Sequence, residues 1–144
     1  MTVVAFTVAG TPVPQGSMRA VPTGRGARVT ASNASALGSW RGAVAAAARD
    51  AMQGRPAFPG PVRLELVCDF ARPRAHFGTG RNRGRLKPSA PVYRAGRPDL
   101  DKLVRAVCDA LTGIVIRDDD LVVELFAAKH FGEAAAHITV SELG

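Results

Sequence analysis

The clearest pattern along the chain is a strict alternation of apolar and polar positions in residues 62–70. The apolar positions are Val62, Leu64, Leu66, Cys68 and Phe70. Because successive side chains of a strand point to opposite faces, this alternation predicts a half-buried β-strand. Residues 3–8, with the sequence VVAFTV, are rich in β-branched side chains and predict a second, shorter strand.

Two other segments repeat their apolar residues every three or four positions, which is the period of an α-helix. The first is residues 33–52, and either Ser32 or Asn33 can serve as its N-cap. The second is residues 100–112, and Gly113 fits a C-terminal cap. Both segments predict amphipathic helices that bury one apolar stripe.

The remaining pattern completes the predicted fold. Residues 9–31 are rich in Gly, Pro, Ser and Arg and predict a loop, whereas residues 114–116, 121–128 and 136–141 predict three more strands. The order of elements predicts an α+β fold, in which a mixed β-sheet packs against two main helices. A chain of 144 residues fits a single domain, taken as residues 1–144.

Residues 71–97, called the basic segment below, depart from every periodic pattern. They contain eight Lys or Arg residues and no acidic residue. A loop of this length in a compact domain is usually functional or disordered, and this one predicts a flexible loop that contacts phosphates. His76, Phe77 and Tyr93 lie among the cations, and such aromatics can stack on unpaired bases. A plain solvated loop is the alternative.

Composition extends the same interpretation. The formal net charge is +7 and the pI is about 10.7, which favours a polyanionic partner, although small proteins are also basic for solubility. The candidate DNA-binding residues are Arg72, Arg74, Arg81, Arg83, Arg85, Lys87, Arg94, Arg97, Arg19 and Lys129.

The two cysteines, Cys68 and Cys108, lie in apolar stretches without a CxxC motif, so we expect buried free thiols. Because we find neither a secretory signal nor a membrane-spanning apolar run, we expect a cytoplasmic protein.

Acidic residues are concentrated at two places next to the predicted second helix. Asp99 and Asp101 stand at its start, and residues 118–120 form an Asp triplet, called the acidic turn below. If the acidic turn folds back beside the start of the helix, Asp119 joins the other two carboxylates. Three hard oxygen ligands of this kind suit Mg²⁺, which can polarise a phosphate and activate a water molecule.

Each of these carboxylates also has a structural alternative. Asp99 is a good helix N-cap, and Asp101 is a favourable residue in the first helical turn. Asp101 could form a surface ion pair with Arg105, four residues further on. The acidic turn could simply be a turn rich in aspartate.

A resemblance to a known family is carried by the run RPDLDKLVRAVCDALTGIVIRDDDLVVEL. This run is similar to the signature of the RusA-type Holliday-junction resolvases, which are common in phages and prophages. The opening VAGTPVPQGSMR resembles the first strand and loop of that family, and residues 129–132, KHFG, resemble its ending. The resemblance covers nearly the whole chain. It implies a homodimeric, Mg²⁺-dependent endonuclease that nicks four-way DNA junctions symmetrically during DNA recombination and repair.

The resemblance also implies roles for individual residues. Asp99, Asp101 and Asp119 would be the catalytic carboxylates and, with Asp118, the ligands of Mg²⁺, for which Mn²⁺ could substitute. The catalytic lysine of the family falls at Arg105, which keeps the charge but cannot act as a general acid.

The residue at position 102 departs from the family as well. Lys102 replaces the usual Asn, and we hypothesise that Lys102 supplies the ammonium group that Arg105 lacks. Two alternatives stay open: a non-catalytic DNA-binding module of the same fold, and a metal-dependent nuclease that acts on flaps, forks or duplex DNA.

Overall fold

A computed structural model of the chain describes residues 2–16, 18–24, 26–31 and 33–144, with only the backbone for residues 18–22 and 27–31. The strands are β1 (Val3–Ala9), β2 (Met18–Thr23), β3 (Gly26–Ala31), β4 (Val62–Phe70), β5 (Val122–Phe131) and β6 (Ala135–Glu142). The helices are α1 (Ala34–Met52) and α2 (Leu100–Leu111). Short 3₁₀ turns lie at Arg74–His76, Gly80–Asn82 and Asp119–Leu121.

Four of the strands form one mixed sheet in the order β1-β6-β4-β5. Strand β6 is antiparallel to both β1 and β4, whereas β4 and β5 are parallel. Strands β1, β4 and β5 therefore run in the same direction, and their carboxyl ends lie at one end of the sheet. The mixed sheet and the two helices confirm the predicted α+β fold.

Both helices pack on the same face of this sheet. The alternation of β4 is confirmed: its apolar positions, including Leu64 and Leu66, are buried, and the positions between them are not. The helices contribute Val44 from α1, and Leu103 and Val107 from α2, to the same core. Burial of one face of β4 is what holds this register, because a slip by one residue would turn polar side chains inward.

The opposite face of the sheet carries a short chain of polar contacts across three strands. Thr7 Oγ1 lies 3.0 Å from His137 Nδ1, and His137 Nε2 lies 2.9 Å from Asp69 Oδ2. Gly132 approaches the same carboxylate, since a Cβ atom at this position would lie 3.3 Å from Asp69 Oδ2. Asp69 is therefore bonded to His137 and has little free space on the side of Gly132.

The prediction of a loop over residues 9–31 is wrong for most of its length. Strands β2 and β3 pair there as an antiparallel hairpin, separate from the main sheet. Proline and glycine at positions 22, 24 and 26 mask the strands in the sequence, and they are tolerated because an isolated two-stranded hairpin has only edges. The side chain of Arg19, a candidate DNA contact, and Ser32, a candidate N-cap, lie outside the described residues.

Two local predictions also need correction. Residues 114–116 form a turn after α2 rather than a strand. Val115 and Ile116 are fully buried, so their apolar character reflects burial and not strand structure. Asn33 precedes α1 but does not cap it with its side chain, because its amide donates to the Pro14 carbonyl oxygen at 2.9 Å.

Candidate active site at the carboxyl end of the sheet

The parallel pairing of β4 and β5 brings the ends of these two strands together. Phe70 and Phe131 are register partners at their last positions, and we call these two rings the aromatic platform. The basic segment leaves the sheet directly after Phe70 and leads to the start of α2. The aromatic platform therefore lies at the root of the segment that carries most of the positive charge.

Two arginines of the basic segment fold back onto the aromatic platform. The guanidinium carbon of Arg72 lies 4.1 Å from the ring centre of Phe131. That of Arg94 lies 4.8 Å from the ring centre of Phe70 and 5.8 Å from that of Phe131. Stacking of guanidinium groups on aromatic faces contributes about 0.5–1 kcal/mol each at exposed sites. The platform thus fixes both ends of the basic segment.

The same two arginines hold the backbone of the segment. Arg72 Nη1 donates a hydrogen bond to the Pro91 carbonyl oxygen at 2.7 Å. Arg94 Nη2 donates to the Arg97 carbonyl oxygen at 2.9 Å, and its Nη1 donates to that of residue 95 at 2.6 Å. These candidate DNA-binding residues are therefore engaged within the chain, where they position residues 91–97.

Lys129 completes this set of contacts from strand β5. Its ammonium group donates to the carbonyl oxygens of Gly96 and Pro98, the latter at 2.9 Å. These carbonyls belong to the last residues before Asp99. The sequence did not reveal this positioning role, nor that of Phe131, although both residues lie in the KHFG run that resembles the family ending.

The other cations of the basic segment are open to solvent, and Arg97 among them also lines the cavity described below. They are exposed, and in the part of the chain that the structure describes their side chains make no hydrogen bond or ion pair. These residues are Arg74, Arg81, Arg83, Arg85, Lys87 and Arg97. Their charge is uncompensated within the chain, so they are the cations best placed to meet phosphate groups.

Asp99 stands at the start of α2 without capping it. It occupies the N-cap position, but its carboxylate accepts no capping hydrogen bond. The carboxylate instead lies 3.5 Å from Lys102 Nζ, as an exposed ion pair. The capping alternative for Asp99 therefore does not account for this carboxylate.

An open cavity of about 590 Å³ lies beside this pair. Asp99, Lys102, Arg94 and Arg97 line it on one side, and residues 11–16 line it on the other. Residues 11–16 are fixed there by a backbone hydrogen bond of 3.0 Å from residue 15 to the Lys102 carbonyl oxygen. Both charges of the Asp99–Lys102 pair therefore border a space that a phosphodiester could enter.

Asp101 and Arg105 lie further along the exposed side of α2. Both residues are exposed, and they form no ion pair with each other among the described residues. The surface ion pair that the sequence left open as an alternative is thus absent, and the Asp101 carboxylate has no basic partner among the described residues. Arg105 does not line the cavity that Lys102 borders.

The acidic turn lies beside the other half of α2. A hydrogen bond with Asp118 is the main reason why the pKa of Asp119 is raised above its ordinary value, followed by partial desolvation and the negative charges of Asp118, Asp109 and Asp120. Burial, followed by the charges of Asp119 and Asp109, raises the pKa of the Cys108 thiol to about 11. The charge of Asp119 therefore acts on Cys108 and Asp109 in the carboxyl-terminal half of α2.

The expectation that three carboxylates meet at the start of α2 stays a prediction. Asp101 and Cys108 are seven residues apart, which is about 10 Å along a helix at ~1.5 Å per residue. Within the described residues, no group of three or more His, Cys, Asp or Glu side chains is placed to hold one metal ion. The sharing of one metal ion by Asp99, Asp101 and Asp119 therefore belongs to the proposed function.

The domain has exposed carboxylates beside the exposed cations of the basic segment. This arrangement is typical of a protein that acts on nucleic acid. The sequence matches the family described as endodeoxyribonuclease RusA across residues 9–141, so the chain belongs to the RusA endodeoxyribonuclease family. Membership implies an endonuclease that resolves Holliday junctions, and hence a protein that acts on branched DNA. No curated protein sequence matches the chain significantly. None of the described helices has the length and apolar character needed to cross a membrane.

Proposed function

We propose that this protein is a Mg²⁺-dependent homodimer that resolves four-way DNA junctions by paired, symmetric nicks in recombination and repair. The observation that carries the proposal is the arrangement around Asp99. Its carboxylate and the Lys102 ammonium border one cavity, and Arg94 and Arg97 of the basic segment line the same cavity. Branch shape, rather than base sequence, would be recognised mainly through phosphate contacts.

The metal part of the proposal rests on ligand chemistry and on the family. Exposed aspartates such as Asp99 and Asp101 are the hard oxygen ligands that Mg²⁺ prefers, and Mn²⁺ is expected to replace it. The pKa of Asp119 is raised mainly by its hydrogen bond with Asp118, then by desolvation and by neighbouring negative charges, and a bound cation would relieve that charge repulsion. Among the described residues of one chain, no group of three such side chains is placed to hold the ion, so the joint use of Asp99, Asp101 and Asp119 is part of the proposal.

Lys102 is the better candidate for the positive group at the reacting phosphate. Its ammonium lies beside Asp99 and borders the cavity, whereas the guanidinium of Arg105 does not. A lysine can also donate a proton to a leaving oxygen, which arginine cannot do at ordinary pH. Lys102→Asn should abolish nicking while Arg105→Lys remains active; an inactive Arg105→Lys beside an unaffected Lys102→Asn would reverse the assignment.

A two-fold dimer would supply the two active sites that paired nicks require. Strand β5 is an edge strand, and three of its large apolar side chains are exposed. They are Val123, Leu125 and Phe126. An exposed apolar edge is a surface on which a second sheet edge can pair. Phe126→Arg should shift the mass measured by light scattering from dimer to monomer; an unchanged mass would exclude this edge as the contact.

The deciding experiment is nicking of a synthetic four-way junction, with a linear duplex of the same sequence as substrate control. Wild type, Asp101→Asn and the matched control Asp50→Asn, an aspartate on α1 far from the site in sequence, are compared in Mg²⁺, Mn²⁺ and EDTA. We expect symmetric nicks on the junction from the wild type and Asp50→Asn, with metal only, and none from Asp101→Asn. Tight junction binding without cleavage in either metal would instead indicate a DNA-binding module.

A further inference from the structure

We infer that Val92 and Tyr93 form an apolar wedge that stacks on an unpaired base at the branch point of the DNA substrate. This inference deepens the proposed function and rests on it. It names the part of the protein that distinguishes a branch from a continuous duplex.

The first observation is the unusual exposure of two neighbouring apolar side chains. Tyr93 is 85 % exposed and Val92 is 79 % exposed. The other aromatic candidates of the basic segment are different: His76 and Phe77 are partly buried, and the ring of His76 packs edge-on against Phe131 at 5.3 Å. Among the aromatics that the sequence offered for base stacking, only Tyr93 presents its ring to solvent.

The second observation is that the backbone on both sides of the wedge is held in place. Arg72, stacked on the aromatic platform, donates to the carbonyl of Pro91 immediately before Val92. Arg94, stacked on the same platform, follows Tyr93 directly and donates to the Arg97 carbonyl. The wedge is therefore presented on a fixed support, which reduces the entropy lost when it contacts a ligand.

The third observation is the charge around the wedge. The exposed cations of the basic segment attract phosphates, and the segment contains no acidic residue that would repel them. A phosphate backbone drawn to this surface would carry its bases past Tyr93. Bases within a duplex are covered by their stacked neighbours, whereas a base at a branch point has an exposed face on which an aromatic ring can stack.

The wedge also borders an open cleft of about 730 Å³. Phe77, Phe131 and Lys129 also line this cleft. Lys129 lines this cleft and donates a hydrogen bond to Pro98, which lines the cavity at Asp99. The cleft and the cavity are therefore neighbours. A base held at Tyr93 would thus place a nearby phosphate toward Asp99.

The test uses a four-way junction with 2-aminopurine at the branch point, and a duplex of the same sequence, in EDTA so that no cleavage occurs. Wild type is compared with Tyr93→Ala, Tyr93→Phe and Leu86→Ala, a matched control since Leu86 is a half-exposed apolar residue of the same segment. We expect Tyr93→Ala to lose the fluorescence change and about tenfold in junction affinity. Duplex affinity should change less than twofold, and Tyr93→Phe and Leu86→Ala should resemble the wild type.

Several results would overturn the inference while leaving the proposed function intact. The first is a Tyr93→Ala variant that keeps the fluorescence change and the wild-type preference for the junction. The second is an equal loss of affinity for junction and duplex, or a Tyr93→Phe variant as weak as Tyr93→Ala, which would assign the tyrosine hydroxyl to a phosphate. If the wild type itself does not prefer or nick the junction, the proposed function fails and the inference fails with it.

Discussion

Replacing Lys129 by methionine keeps the aliphatic stem but removes the ammonium group that donates to Gly96 and Pro98. A hydrogen bond from a charged donor contributes roughly 1.5–3 kcal/mol. Because the Lys129 ammonium is partly exposed, we take the two hydrogen bonds together to contribute about 2 kcal/mol. If that energy serves to position Asp99, cleavage of bound DNA should slow about 30-fold, since ~1.4 kcal/mol corresponds to a factor of ten.

The assay must separate positioning from a phosphate contact, because Lys129 is also a candidate DNA-binding residue. We would measure the nicking rate at saturating junction, and the slope of the logarithm of the binding constant against the logarithm of the salt concentration. Each lost phosphate contact lowers the magnitude of that slope by about 0.9. We expect Lys129→Met to slow nicking without changing the slope.

Lys87→Met is the matched control, because Lys87 is an exposed cation of the basic segment. Lys87→Met should reduce the magnitude of the slope by about 0.9 and leave the nicking rate at saturating junction unchanged. The reasoning would be refuted if Lys129→Met behaved like Lys87→Met, with a reduced slope and a normal rate. The ammonium would then belong to the DNA-binding surface and not to the support of Asp99.

Three further predictions concern stability and reactivity. The pKa of Asp119 is raised above its ordinary value of 3.8, so ionisation of this carboxyl destabilises the folded chain as the pH rises from 3.8 through the raised pKa. We therefore expect Asp119→Asn to unfold at a higher temperature than the wild type at pH 7 in EDTA. This gain in unfolding temperature should disappear below pH 3.8. Burial raises the thiol pKa of Cys68 to about 12, with a smaller contribution from the charge of Asp69. Burial also raises the thiol pKa of Cys108, to about 11. Neither should react with Ellman's reagent at pH 8 until guanidinium unfolds the chain, and prompt reaction of the folded protein would contradict their burial. Gly132→Ala would bring a Cβ atom to 3.3 Å from the Asp69 carboxylate, so we expect a loss of about 1 kcal/mol in urea unfolding, and an unchanged midpoint would show that Asp69 moves freely.

Local patterns predicted those elements whose burial is decided by the chain itself. The alternation of β4 gave its bounds, Val62–Phe70, because one face of this strand is covered by helices. Residues 114–116 were misread because β-branched apolar residues also fill buried turns. The hairpin of β2 and β3 was missed because its pairing depends on the partner strand more than on an apolar pattern.

The candidate site was predictable in its residue types but not in its geometry. The sequence singled out Asp99, Asp119 and the cations of the basic segment, and the family resemblance on which their roles depend is confirmed by the match over residues 9–141. Spacing along the chain does not say which half of α2 the acidic turn faces. Nor does it divide the cations into those that stack on Phe131 and those that are open to solvent, since that division depends on contacts between distant residues.

The basic segment consists of two parts that differ in how they are held. Residues 76–87 close on themselves, through backbone hydrogen bonds of 3.0 Å from Gly78 to Arg85 and 2.9 Å from Lys87 to His76. Residues 91–98 are instead tied to the rest of the fold by three cationic side chains. Insertions and deletions should therefore accumulate in the first part among relatives of this protein, where they alter reach and charge without cost to the fold. The number of residues between Arg94 and Asp99 should stay constant, because a single added residue there would shift the carbonyl groups of Gly96 and Pro98 away from the Lys129 ammonium.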